Sequence, residues 1–173
     1  MIKPVVLALL LALTPVAAAA QVSGAAFQGF NSNSKDPVQI EADELEVIDE
    51  QAKAIFTGNV KVRQGTSTIT TSRLVVEYLK GAGGTQNDID RLIMTGGLVA
   101  TSQENTVTAD KGIYQVARER IQLEGKVVIS QGENVATGCK LTANLKTNQA
   151  VLSACKGSGG RVSTVFRPGS AGN

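Results

Sequence analysis

The chain has no histidine and no tryptophan, two cysteines, and 3% aromatic residues. Without histidine, histidine-based triads and His-ligated metal sites are excluded. Two cysteines are too few for a zinc site. The scarcity of aromatics removes the stacking platforms on which single-stranded nucleic acid binds. Charge of either sign is also lacking: 17 basic and 15 acidic residues leave +2, and no run of Lys or Arg marks a nucleic-acid or polybasic membrane patch. Gly81-Ala82-Gly83-Gly84 lacks the Gly-Lys-Ser/Thr of a phosphate-binding loop and reads as a flexible turn. The acidic cluster Glu41, Asp43, Glu44, Glu46, Asp49, Glu50 lacks the spacing of a calcium loop and reads as a solvated strand edge and turn. These absences point to a non-enzymatic protein with no metal and no cofactor.

What is present begins with a leader. Residues 1–20 carry Lys3, an apolar run from Val5 to Leu13 too short to span a bilayer comfortably, and Ala18-Ala19-Ala20 before Gln21. This predicts a cleaved secretory signal and an exported protein. Residues 21–36 read as a flexible lead-in and 168–173 as a disordered tail. The part between, 37–167, is long enough for one domain with its own core.

That domain writes one strand three times. "FTGNVKVRQG" starts at Phe56, "MTGGLVATSQ" at Met94 and "LEGKVVISQG" at Leu123. Column by column, Phe56, Met94 and Leu123 align, then Gly58, Gly96 and Gly125, then Val60, Leu98 and Val127, then Val62, Ala100 and Ile129. Period two with one apolar face is a half-buried strand. The glycine column predicts a shared bulge, bend or close approach, and room in the apolar wall.

A second motif alternates with the first: "IEADELEV" at Ile40, "ITTSRLVV" at Ile69, "VTADKGIY" at Val107, and a weaker copy, "VATGCKLT", at Val135. Its apolar residues change parity: Ile40 to Leu45, Ile69 to Leu74, Val107 to Tyr114. Odd spacing sends the side chain to the other face unless the strand turns a corner. The fourth copy breaks this pattern, since Val135, Cys139 and Leu141 share parity. Turn-forming clusters punctuate the strands throughout. Hairpins stacked in series, with corners inside the strands, predict an all-β fold of two sheets folded over one another. Such a jelly roll stays open along a side, has a greasy slot inside, and keeps unpaired first and last strands.

If residues 138–144 and 150–155 form a hairpin centred near Thr147, Cys139 and Cys155 come opposite. A structural disulfide and two buried free thiols are both open on that reading. Lys61, Arg63, Arg73, Lys80 and Lys126 are candidate phosphate contacts, with scattered solvated charge as the commoner explanation.

The run 36–65, with Ile40-x-Ala42-Asp43, Phe56-Thr57-Gly58-Asn59-Val60 and Gln64-Gly65, resembles the opening of the OstA-like family of lipopolysaccharide-export proteins. "TADKGIY" (108–114) and "GGRVSTVFRP" (159–168) extend the resemblance over nearly the whole exported chain. The resemblance implies a V-shaped, twisted β-jelly roll in the periplasm. Its interior would take up the acyl chains of lipid A through Ile40, Phe56, Val60, Val62, Leu74, Val76, Met94, Leu98, Tyr114, Val116, Leu123, Val127 and Ile129. Copies would join head to tail through edges carrying Val38, Ile40, Val162, Thr164 and Phe166. The assembly would link an inner-membrane export complex (LptC-like) to an outer-membrane translocon (LptD-like). A structural or adhesive β-repeat protein with a filled core is the competing reading.

Overall fold

A computed structural model of the chain describes residues 36–80, 89–157 and 160–167. The leader, most of the lead-in, the Gly81–Gly84 loop and the tail lie outside the described residues. The strands are β1 (Gln39–Glu41), β2 (Glu44–Ile48), β3 (Lys53–Gln64), β4 (Ser67–Tyr78), β5 (Ile89–Ser102), β6 (Asn105–Gln115), β7 (Arg120–Gln131), β8 (Asn134–Asn144), β9 (Gln149–Ser153) and β10 (Ser163–Val165). They form one antiparallel sheet in the order β1-β3-β4-β5-β6-β7-β8-β10, with β2 also on β3 and β9 also on β8. The ends do not meet, so the fold is an open jelly roll.

Turn chemistry gives the sheet a polarity. Three hairpins (β3–β4, β5–β6, β7–β8) close with two-residue turns, each begun by a residue of positive φ: Gly65 at 55°, Gln103 at 53° and Gly132 at 54°. The connections at the opposite end are longer.

Midway along every long strand the pairing slips by one residue. The slips fall at Thr57/Val60, Thr71/Arg73, Thr95/Leu98, Thr108/Lys111 and Glu124/Val127, making a continuous seam across the sheet. Strand halves on the tight-turn side pair with β1 and β10; halves on the long-loop side pair with β2 and β9. Apolar residues from both halves form one buried cluster, among them Val60 and Val127 on one side of the seam and Leu74, Leu123 and Leu141 on the other. A flat sheet would leave that face in water. Burial from both sides means the two halves cover one another, and each buried Val or Leu contributes about 1.5–3 kcal/mol.

The corner anticipated from parity is this seam. Ile69 and Leu74 are both inward and buried despite their odd spacing. The glycine column, however, does not leave room in the wall. Gly58, Gly96 and Gly125 have φ of 77°, 82° and 98° at the bulges. An added Cβ would meet Asp43 Cγ at 2.9 Å, Ser72 Cβ at 2.7 Å and Asp110 Cγ at 2.5 Å respectively. Each glycine accepts the fourth residue of the Ile-x-Ala-Asp motif from the adjoining strand. Asp43 is therefore more than solvated edge: its N–H donates to Gly58 O at 3.0 Å, and Asn59 Nδ2 donates to its carboxylate at 2.8 Å. Inside the wall the small residue is Gly112, where a Cβ would lie 2.8 Å from both Leu98 and Leu123 side chains.

The fourth motif copy also needs correction. Ala136, not Val135, is the inward residue, since Ala136 is buried opposite Ile129 while Val135 pairs with the exposed Val165. Moving the copy by one residue restores the odd spacing, Ala136 to Leu141, and puts Cys139 where the other copies have Asp43, Ser72 and Asp110. Cys139 is bonded to Cys155, with Cα atoms 4.8 Å apart. The hairpin is not centred on Thr147: Lys140 pairs with Ser153 and Asn144 with Gln149. That register sets residue 154 opposite 139, so the bond forms just after β9 has ended.

Candidate functional site: the apolar interior and its open edges

The inward side chains line up in rows that run across the sheet. On the tight-turn side one row is Ile40, Val62, Ile69, Ala100, Val107, Ile129, Ala136 and Thr164. On the long-loop side one row is Leu45, Phe56, Leu74, Met94, Gly112, Leu123, Leu141 and Leu152, and the next is Val47, Ala54, Val76, Leu92, Tyr114, Ile121, Ala143 and Ala150. None of these residues is charged.

Of the interior residues expected from sequence, Val60, Val62, Leu74, Val76, Met94, Leu98, Tyr114, Leu123, Val127 and Ile129 are buried. Ile40, Phe56 and Val116 are half-buried against the same cluster. The structure thus brings all of them to one interior, where they pack on one another.

Sequence reasoning missed the rows' exposed ends. Leu45 and Val47 on β2 continue the inward rows, yet are 55% and 61% exposed. They form an apolar margin beside β1, where Val38, Ile40 and Ala42 pack on the core. The signal was available: the odd step from Ile40 to Leu45 already assigned both to one face.

The two ends of the interior differ. At the tight-turn end it is closed by polar groups: Gln64 is buried and donates to Asp36 O at 3.2 Å, and Ser67 Oγ donates to Ser102 Oγ at 2.9 Å. Towards the long loops the margin is apolar, with Tyr78, Ile89, Leu92, Val116 and Leu145 packed on the core. Here burial, with a smaller push from Glu119, raises the Tyr114 phenol to a pKa of about 12.

Both expected edges exist but are short. Only Ile40 and Thr164 lie within the three-residue strands β1 and β10; Val38, Val162 and Phe166 flank them. Phe166 and Val165 are 55% and 60% exposed. The edges are doubled, since β2 and β9 end the other layer, and Val151 on β9 is 63% exposed.

Apart from the buried Glu119, the charged residues among those described stand at or near the surface. Arg63 pairs with Glu41 at 2.8 Å, and Lys61 and Arg73 stand in outward rows. Glu124 receives Lys111 at 2.9 Å and Lys140 at 3.2 Å, and these bonds, with one from Gln122, hold its carboxyl down to about 2. Among the described residues no group of three or more His, Cys, Asp or Glu side chains is placed to hold a metal. No helix there is long and apolar enough to cross a membrane.

The described residues thus form an open antiparallel jelly roll whose inward rows are apolar and uncharged. Residues 39–149, from β1 to the first residue of β9, match the family model described as "LptA/(LptD N-terminal domain) LPS transport protein". The chain belongs to that family of lipopolysaccharide-transport components, which is not an enzyme family. Its fold is similar to that of LptH from Pseudomonas aeruginosa, described as the LptA homologous periplasmic component of the conserved lipopolysaccharide transport device. That match has a TM-score of 0.65 at 19% identity, over 79% of this chain and 99% of LptH. In sequence, the chain is 40% identical over 156 residues to the uncharacterized protein R00383 of Rhizobium meliloti (strain 1021), covering 88% of this chain and 82% of that one. It is also 50% identical over 48 residues to an uncharacterized Rhizobium etli protein from the 5′ region of an rpoN-linked probable transport protein, over 28% of this chain and 83% of that one.

Proposed function

We propose that the chain is a periplasmic carrier that shields the acyl chains of lipid A between its two layers. It would join further copies head to tail, and an inner-membrane export complex and an outer-membrane translocon at its ends. The observation that carries this reading is the extension of the inward apolar rows past the buried core to the exposed Leu45 and Val47. A row that served only as core would end where burial ends.

The physics suits the task. Each buried CH₂ is worth about 0.8 kcal/mol, so an acyl chain of about a dozen carbons resists water by about 10 kcal/mol. A carrier must offer apolar wall throughout and keep charge away from it. The outward rows would leave the sugars and phosphates of the cargo in water. The short strands at both ends of each layer offer free backbone groups for strand addition, and a contact between unlike edges propagates rather than closes.

A second reading, a structural β-repeat with a filled core, is favoured by one observation: Leu74, Leu123 and Leu141 are almost wholly buried against their neighbours. A photocrosslinking residue placed in cells at Leu45 or Val47, and at outward Val99 or Ile113, separates the two. The transport reading expects lipid A adducts from the first pair and not the second. It also expects protein–protein products from Val38 and Phe166. Adducts from neither pair, or equally from both, contradict it.

A further inference from the structure

Tyr114 does not behave as a simple filler of the interior. It is 8% exposed, sits in an inward row between Leu92 and Ile121, and its hydroxyl has no hydrogen-bond partner. A phenol taken from water loses its bonds to water and gains nothing here in return. Phenylalanine would fill the same space without that loss. The aliphatic residues beside it in the row offer no acceptor.

We propose that the Tyr114 hydroxyl is a polar contact point inside the apolar interior, donating a hydrogen bond to a neutral oxygen carried by an acyl chain, either an ester or amide carbonyl or a chain hydroxyl. This rests on the acyl-carrier reading above and adds a selectivity to it. The interior would distinguish oxygen-bearing acyl groups from plain hydrocarbon. The phenol stays protonated throughout the physiological range, so it is always a donor. Glu119 contributes to that by its charge, which argues against an anionic acceptor such as carboxylate or phosphate and for a neutral one.

The test compares the full exported chain with Tyr114→Phe on three probes: detergent-dispersed lipid A, lipid A stripped of its ester-linked chains by mild alkali, and an alkyltrimethylammonium amphiphile, which has no oxygen. The expected result is about a three- to tenfold weaker affinity of Tyr114→Phe for lipid A, the scale of one net hydrogen bond. Affinity for the alkyltrimethylammonium should be unchanged, and the thermal midpoint equal to wild type or higher, because an unpaired donor has been removed. Persistence of the deficit on the stripped lipid assigns the acceptor to an amide-linked chain; its disappearance assigns it to an ester-linked chain. Unchanged affinity for lipid A in Tyr114→Phe, or equal losses on lipid A and the alkyl probe, overturns the inference while leaving the carrier reading standing. Failure of the wild-type chain to bind lipid A at all overturns both.

Discussion

Replacing Gly125 with alanine probes the seam on which the two-layer fold depends. Gly125 holds φ at 98°, a region that L-residues enter at about 1–3 kcal/mol. The new methyl would lie 2.5 Å from Asp110 Cβ and Cγ, too close for any van der Waals contact. Asp110 would have to swing away and release the Lys126 N–H, now donating to its carboxylate at 3.3 Å, a further loss of about 1 kcal/mol. Gly125→Ala should therefore destabilise by about 2–4 kcal/mol. Gly132 is the control. Its φ is 54° and an added Cβ would meet nothing within 4 Å, so Gly132→Ala should cost about 1 kcal/mol. Urea denaturation at one fixed protein concentration reads both, and concentration must be held because association adds stability. In an Asp110→Ala background the Cβ contact remains but the Lys126 hydrogen bond is already absent, so Gly125→Ala should cost about 1 kcal/mol less than in wild type. A Gly125→Ala protein within about 0.5 kcal/mol of wild type refutes the account of the seam. An identical loss with and without the Asp110 carboxylate refutes its hydrogen-bond part.

Two further outcomes follow from the same structure. The Cys139–Cys155 bond spans a separation of 16 residues, so the double alanine variant should lose about 3 kcal/mol in urea, with hydrogen exchange rising first in β9; equal stability of the variant and the oxidised protein would argue against it. Glu124 is held down to about 2 from an ordinary value of 4.5 by Lys111 first, then Lys140 and Gln122. A depressed folded-state pKa stabilises above the unfolded value and is lost as pH falls through the folded one. The stability gap between wild type and Glu124→Gln should thus be flat from pH 8 to about 5 and close towards pH 2; a gap that widens on acidification is inconsistent with this.

Much of this architecture is legible in local spacing. Period two in "FTGNVKVRQG" assigned Val60 and Val62 to one face, and the odd steps in the alternating motif required a corner. Both signals are local because alternation and bulging are properties of a few consecutive residues. Val60, Val62, Leu98, Ala100, Val127 and Ile129 are accordingly buried. What failed were statements about which strand's side chain meets which. The glycine column marks the bulges and close approaches expected from sequence, but it leaves no room in the wall, because an added Cβ at each would meet a neighbouring strand's Asp43, Ser72 or Asp110. In the fourth copy the more apolar Val135 reads as the inward residue, and only the pairing of Ala136 with Ile129 shows otherwise.

The amino-acid order alone determined an all-β chain of repeated, cornered strands with one uncharged apolar face, since those features need no knowledge of distant neighbours. Tertiary structure decided the rest: that both halves of that face cover each other, that Cys139 occupies the position of a seam acid, that Leu45 and Val47 remain at the margin, and that the Tyr114 hydroxyl is left unpaired. Each of these depends on register between strands far apart in the chain, and a slip of one residue would reverse which face a side chain occupies.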